Sequence, residues 1–134
     1  MSDTPTHLLA PAAVNLINYK LDSLNAQVTG LTAAVVSTGD GYHVASKVGN
    51  NAQVSRLSAM ASSLSALSSV AGDENNMGAS ESITIEAAGG YMILLEIAHP
   101  TVPMTLSVVT NKTAVLGQAL YFAKQVARDI AQLS

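Results

Sequence analysis

The stretch that most constrains the fold runs from residue 28 to residue 46 and reads VTGLTAAVVSTGDGYHVAS. Its Leu31–Thr38 part is apolar at both odd and even positions, which is typical of a strand covered on both faces. Gly39–Gly41 follows and reads Gly-Asp-Gly, which suits the tight turn of a β-hairpin. The chain then returns as a shorter and more polar strand, Tyr42–Lys47, of the kind found at a sheet edge. The stretch therefore predicts a hairpin with one buried strand and one edge strand.

Apolar residues at helical spacing flank this hairpin on both sides and predict two helices. The first helix carries its stripe at Val14, Ile17, Leu21, Leu24 and Val28. The second, the central helix, spans about Ala52–Ala71 and carries its stripe at Leu57, Met60, Leu64, Leu67 and Val70. We expect the stripe from Leu57 to Leu67 to pack on the sheet. We also expect the Asn50-Asn51 pair to cap the central helix and Gly72 to end it.

The second half of the chain predicts three more strands and a closing helix. The strands are Ser82–Ala87, Tyr91–Ala98 and Met104–Thr110. The first of them alternates apolar and polar residues, as a half-exposed edge strand does, whereas the other two are expected to be buried on both faces. Gly89-Gly90 provides a hairpin turn. Asn111 or Thr113 is expected to cap the last helix, whose apolar stripe runs from Leu116 to Leu133.

Together these elements predict an α/β fold of the α+β kind, in the order α-β-β-α-β-β-β-α. Two strands have the character of edges and three have the character of buried strands. We therefore expect a five-stranded, mostly antiparallel sheet with one helix on one face and two on the other. Residues 1–7 are expected to form a flexible tail, and residues 8–134 a single domain.

The charge and cysteine content exclude several classes of function. Charged residues make up 11% of the chain, against a typical value of about 25%. The net charge is -3 and the six basic residues are scattered, so no basic stripe is available for nucleic acid or an anionic membrane. The absence of cysteine rules out disulfides and thiolate zinc sites. We see no secretory leader and no run of about 18 apolar residues, and we expect a cytoplasmic protein without membrane insertion.

No constellation of residues predicts catalysis, a metal or a cofactor. No glycine-rich phosphate loop lies between a predicted strand and a helix, and no Gly-x-Ser-x-Gly motif occurs. His7, His43 and His99 fall in a tail, an edge strand and a proline-bounded loop, so we do not expect them to share a metal. We interpret Glu86 and Glu96, on neighbouring strands of one hairpin, as outward-facing charges rather than an acid–base pair. The sequence thus predicts a protein that is not an enzyme.

The central helix lacks the charges of a solvated helix. From Asn51 to Ala71 it carries only Arg56, whereas an exposed helix face usually carries glutamate and lysine. Small side chains fill much of the remainder and would let a second backbone approach closely. The residues that we predict for a homodimer interface on this helix are Ser55, Ser58, Ala59, Ser62, Ser63, Ala66 and Ser69. The alternative interpretation is a serine-rich helix that faces solvent.

The predicted edge strand supports the interface. An unpaired strand edge is a template for another strand, and only Glu81 and Glu86 guard this one. A two-fold axis beside the strand would join two sheets into one, with the central helices antiparallel across the seam. The residues that we predict for this part of the interface are Ser82, Ile83, Thr84, Ile85 and Glu86.

Residues 28–46 resemble the start of the roadblock family, the dynein-light-chain type. Those domains open with a helix, a hydrophobic strand, an Asp-Gly turn and a strand that ends near Ala-Ser. The small-residue helix that follows, and the I-x-I-E-x-x-x-G-Y-M-I-L-L hairpin at Ile83–Leu95, extend the resemblance over about Leu8–Leu133. It implies a roadblock-like domain over residues 8–134 and a homodimer built from the central helix and the third strand.

The resemblance is to the bacterial and archaeal branch of the family, whose members act with Ras-like GTPases. It implies a non-enzymatic dimeric regulator or scaffold that binds a small Ras-like GTPase, with stimulation of GTP hydrolysis as a further expectation. Arg56 is the candidate partner-binding residue, in a positioning role, because activators of this kind are not thought to insert a catalytic arginine. The alternatives are a structural adaptor that docks other roadblock-type subunits, or a small-ligand sensor, which would need a pocket with convergent polar groups.

Overall fold

The structure is a computed structural model, and it describes residues 9–133. Within these residues it has three helices and five strands in the order α-β-β-α-β-β-β-α, which confirms the predicted fold class. The helices are α1 (Pro11–Gln27), α2 (Asn51–Glu74) and α3 (Leu116–Ala131). The strands are β1 (Leu31–Thr38), β2 (His43–Lys47), β3 (Ser82–Ala87), β4 (Gly90–Ile97) and β5 (Met104–Asn111). The tail expected at residues 1–7 lies outside the described residues.

The strands form one sheet in the order β2-β1-β5-β4-β3, and every neighbouring pair is antiparallel. At its centre Ser107 of β5 lies between Val35 of β1 and Leu94 of β4. Within residues 9–133, β2 and β3 each have a strand neighbour on one side only. The two predicted edges and the three predicted inner strands are therefore confirmed.

Two helices cover one face of the sheet and one covers the other, as predicted. α1 and α3 pack against each other and place Ile17 and Ile130, among others, in the main core. Both of these side chains are fully buried, and burial of a side chain of this size contributes roughly 1.5–3 kcal/mol. α2 lies over β1, β5 and β2 on the opposite face, where Leu57 packs in a smaller cluster with Val35.

The central helix α2 begins as expected but extends further. The side-chain oxygen of Asn50 accepts a hydrogen bond of 2.8 Å from a backbone N–H of the first turn, so the predicted cap is confirmed. The helix continues past Ala71 to Glu74, and Gly72 lies inside it rather than ending it. A Cβ at position 72 would overlap the carbonyl oxygen of Gly78, so glycine here lets the loop after α2 approach the helix closely.

The last helix, α3, is not capped as predicted. It begins at Leu116, and no side-chain hydrogen bond from the described residues caps its first turn. The side-chain oxygen of Asn111 instead accepts hydrogen bonds from the backbone N–H of Thr113, at 2.9 Å, and from its hydroxyl. Both predicted caps are therefore turn formers. Asparagine and threonine favour caps and turns through the same side-chain-to-backbone bonds, so their presence alone does not separate the two.

Candidate interaction surface

Small residues line the side of α2 that faces the sheet. Ser58 and Ala61 are buried there, and Leu57 is the one large member of the predicted stripe that is fully covered. The prediction that the stripe from Leu57 to Leu67 packs on the sheet is therefore wrong for Met60 and Leu67, whereas Leu57 is buried and Leu64 half-buried. The stripe residues that stand in solvent are Met60 (46% exposed), Leu67 (66%) and Val70 (56%).

The strands beneath α2 present polar side chains to it. The hydroxyls of Ser37 and Thr105 are buried and lie 3.1 Å apart in a hydrogen bond. Ser107, on the same face of the sheet, is fully buried, and its hydroxyl has no partner among residues 9–133. Ser65 of α2 donates a hydrogen bond of 2.7 Å to Oε2 of Glu96. Because small and polar groups bring helix and sheet close together, the large side chains of α2 lie on its outer side.

The outer side of α2 carries little charge. The predicted interface residues exposed there are Ser55, Ala59, Ser63, Ala66 and Ser69. Arg56 is also exposed and forms no ion pair with any residue that the structure describes. Ser62 is half-buried and donates a hydrogen bond of 2.9 Å to the carbonyl oxygen of Gly39. The predicted position of Ser58 on this side needs correction: it faces the sheet, is 3% exposed, and donates to the carbonyl oxygen of Val54 at 3.0 Å.

The edge strand β3 turns its apolar side chains toward the same face of the sheet as α2. Ile83 and Ile85 lie opposite Leu94 and Met92 of β4, and Met92 packs in the cluster beneath α2. Ile85 is exposed and Ile83 half-buried, because α2 lies mainly over β1, β5 and β2 and not over β3. A shallow cleft of about 360 Å³, lined in part by Ile85 and Met92, marks this open area. The helix α2 and the apolar side of β3 thus lie on the same face of the sheet.

The other side of β3 carries Ser82, Thr84 and Glu86, all of them exposed. Glu86 does not stand free, because its Oε2 accepts a hydrogen bond of 3.2 Å from Nζ of Lys112. The same Nζ lies 4.4 Å from the centre of the Tyr91 ring. The hydrogen bond to Glu86 raises the pKa of Lys112. One of the two charges expected to guard the edge, Glu86, is therefore paired within the chain.

The remaining titratable candidates lie apart from one another. His43 sits on β2 with Nε2 at 3.2 Å from the Ser46 hydroxyl, and partial burial lowers its pKa. His99 is buried in the loop between β4 and β5, and His7 lies outside the described residues. The interpretation of Glu96 as an outward-facing charge is wrong, because it is half-buried against α2. Within residues 9–133 no three potential metal ligands cluster, and no helix combines the length and apolar character needed to cross a bilayer.

Solved structures are similar to this chain over most of its length, although no protein-family model and no curated protein matches it. A roadblock/LC7 domain from Streptomyces avermitilis superposes with a TM-score of 0.76 at 18% identity, covering 84% of this chain and 92% of that domain. The gliding protein MglB from Thermus thermophilus gives a TM-score of 0.82 at 14% identity and covers 92% of both chains. This chain has the roadblock fold. An MglB with a tetrameric arrangement reaches 0.83 at 16% identity, covering 92% of this chain and 91% of that one.

The sequence patterns did not predict which side of α2 faces solvent. Their spacing assigns Met60 and Leu67 to the core side of α2, whereas both residues are exposed. A signal against that assignment was present in β1 and β5. Ser37, Thr105 and Ser107 interrupt otherwise apolar strands at alternating positions, and they make the face of the sheet beneath α2 partly polar. A polar face of that kind favours a small-residue helix side above it.

Proposed function

We propose that this chain is a homodimeric, non-enzymatic regulator or scaffold that binds a small Ras-like GTPase in the cytoplasm. One observation carries the proposal: α2, whose outer side carries exposed apolar residues, lies on the face of the sheet to which β3 turns its apolar side chains, and within residues 9–133 β3 has an open edge. Exposed apolar surface is unfavourable in water by roughly 25 cal/mol per Å². An open strand edge leaves backbone donors and acceptors available to another chain. A second copy of this chain satisfies both requirements at once.

In the proposed dimer a two-fold axis passes beside β3. The two copies of β3 pair antiparallel and join the two sheets, so the two α2 helices meet on the same face across the seam. A two-fold contact uses the same patch on both copies, and large residues of one patch need small residues opposite them. Leu67 and Met60 supply the large side chains, while Ser63 and Ala66 supply space for them. The tetrameric arrangement of one MglB supports self-association in this fold.

The GTPase part of the proposal rests on the resemblance to the roadblock family and on the likeness to MglB gliding proteins. Across the seam the two α2 helices form one shallow platform to which each copy contributes Arg56. A single platform suits one GTPase per dimer. Arg56 acts by holding the partner, so stimulation of hydrolysis comes from repositioning the GTPase's own residues. The chain itself carries no phosphate-binding loop.

Affinity capture with the immobilised chain tests the GTPase part. A native lysate supplied with GTP is passed over wild-type and variant baits, and retained proteins are identified by mass spectrometry. We expect a small GTPase on the wild-type bait and much less on Arg56→Ala. Lys47→Ala is the matched control, because Lys47 pairs with Asp22 of α1 at 2.8 Å, on the opposite face from α2. Retention of no GTPase, or equal retention by Arg56→Ala, would contradict the proposed partner or the proposed site.

A structural adaptor is the second candidate, and the outer helices favour it. Leu16 and Tyr19 are exposed on α1, and Tyr121 is exposed on α3. The two charged residues of α1, Lys20 and Asp22, are both engaged in ion pairs within the chain. An apolar surface with its charges already paired suits contact with another protein. Capture of other roadblock-type subunits in place of a GTPase would favour this candidate.

A further inference from the structure

A second cleft, of about 450 Å³, lies on the face of the sheet opposite to α2. It runs between α3 and the paired strands β3 and β4. Leu95, Ala127 and Ala131 line it, and the first two of these are buried parts of the main core. We call it the α3 cleft. Its floor is apolar and, apart from Leu95, made of alanine side chains, so it has room for side chains from another molecule.

Two cations on one wall set the chemistry of the α3 cleft. The chain has six basic residues, and three of them, Lys20, Lys47 and Lys112, form ion pairs with carboxylates of the same chain. Lys124 and Arg128 both line the cleft, and neither forms an ion pair with any residue between 9 and 133. Four positions apart on α3, they project from the same helix face about 5–6 Å from each other.

Two carboxylates also line the cleft and do not neutralise these cations. Glu96 accepts a hydrogen bond from Ser65, which holds its carboxylate toward α2. Glu81 lies just before β3, and its carboxylate is farther than 4.0 Å from both cations, since no ion pair forms. The cleft is thus polarised, with a basic wall on α3 and an acidic lip at the start of β3. An occupant must place its carboxylates on the α3 side.

We propose that the α3 cleft binds an acidic segment of a partner protein. Two carboxylates of that segment, on residues two apart, pair with Lys124 and Arg128, and the apolar residue between them turns its side chain away from α3 toward Leu95 of β4. In an extended segment, residues two apart lie about 6.6–6.8 Å from each other on the same side, within reach of two long cationic side chains whose Cβ atoms lie about 5–6 Å apart. The planar guanidinium of Arg128 can hold one carboxylate through two hydrogen bonds. This surface goes beyond the proposed function, because it lies on the face away from α2 and leaves the GTPase platform free.

A probe peptide tests this proposal directly. The probe is a short synthetic peptide in which glutamate alternates with alanine and leucine, and its twin carries glutamine in place of every glutamate. Binding is followed by fluorescence anisotropy at low salt and at about 0.5 M salt, where exposed charges are screened. We expect the acidic probe to bind the wild type, and binding to fall at least tenfold in high salt, with the glutamine twin, and in the double variant Lys124→Glu, Arg128→Glu.

The control variant is Lys47→Gln, which removes a cation of β2 at the opposite edge of the sheet from β3 and should leave probe binding unchanged. The oligomeric mass and circular dichroism of each variant are measured first. If the double charge reversal fails to fold, Lys124→Gln with Arg128→Gln replaces it. Equal binding of the glutamine twin, or undiminished binding by a folded Lys124, Arg128 variant, overturns the proposal. Anionic phosphatidylserine vesicles form the last arm, and tighter binding to vesicles than to the probe would assign the cations to a lipid surface instead.

Discussion

The buried histidine of the β4–β5 loop offers a sharp test of the packing. His99 is 5% exposed, and its Nδ1 lies 3.2 Å from the backbone nitrogen of Thr101 and 3.1 Å from that of Val102. Both of these nitrogens carry hydrogens, so Nδ1 is the acceptor and Nε2 carries the proton. Nε2 then donates to the carbonyl oxygen of Leu133 at 2.6 Å. One neutral imidazole thus joins the loop to the chain beyond the end of α3.

The substitution His99→Ala removes every one of these bonds. It leaves the buried N–H of Val102 and the partly buried N–H of Thr101 without an acceptor, and a buried group left unpaired costs about 1–3 kcal/mol. Some of these groups regain water, so we expect the free energy of unfolding to fall by about 2–4 kcal/mol. The matched control is His43→Ala, which removes an imidazole on the edge strand β2 with one hydrogen bond to Ser46 and should change stability by less than about 0.5 kcal/mol.

Urea unfolding followed by circular dichroism measures both changes, at fixed protein concentration and at pH 8. The fixed concentration matters because self-association adds to apparent stability. The reasoning is refuted if the two alanine variants lose equal stability. It is also refuted if His99→Ala unfolds with the same free energy as the wild type, because the imidazole would then not connect the loop to α3.

Three further predictions concern local backbone and charge. Val48, exposed between β2 and α2, has φ +60°, a conformation that costs a β-branched residue about 1–2 kcal/mol. Val48→Asn should therefore raise the free energy of unfolding in urea by about 0.5–1 kcal/mol. A decrease would refute the strain. Gly72→Ala should lower the free energy of unfolding by about 1–3 kcal/mol, because the added methyl group meets the carbonyl of Gly78. Gly117→Ala, whose methyl group enters open space, should raise it by about 0.5–1 kcal/mol. Equal effects of the two substitutions in unfolding experiments would contradict the contact. Burial lowers the pKa of His43 below 6.5, so the unfolded chain takes up a proton before the folded chain does as the pH falls. The wild type should therefore lose stability relative to His43→Gln below pH 6.5. Parallel profiles of stability against pH for the two proteins would exclude this linkage.

Local patterns predicted the sheet well. The bounds of β1 and β3 agree with the sequence prediction at both ends, because β-branched runs are bounded there by glycine turns or by polar residues. β4 is displaced by one residue, since Gly90 begins the strand instead of ending the turn. A Cβ at Gly90 would overlap the carbonyl oxygen of Thr110, so the pairing with β5 requires glycine at that position. A contact with a strand distant in sequence decides this boundary, and periodicity does not report such contacts.

The orientation of α2 could not be predicted from its own periodicity. The helix has two stripes with nearly the same period, one of large residues through Met60 and Leu67, and one of small residues through Ser58 and Ala61. Residue size favoured the first stripe for the core. In the structure the small-residue stripe faces the sheet, because α2 lies close to it. This short distance between α2 and the sheet depends on the serine and threonine side chains of β1 and β5. The choice is a tertiary property, and it determines which residues are available to a partner.

The mass of the protein in solution tests the central claim most directly. Sedimentation equilibrium compares the wild type with Leu67→Glu, which puts a charge into the proposed seam, and with Val115→Glu, which changes an equally exposed apolar residue at the start of α3 (60% exposed). An unpaired charge buried in an apolar interface is very costly. We therefore expect twice the chain mass of 13.7 kDa for the wild type and Val115→Glu, and the chain mass itself for Leu67→Glu. A wild type that sediments as a single chain, or a Leu67→Glu variant that dimerises as well as Val115→Glu, would contradict the account.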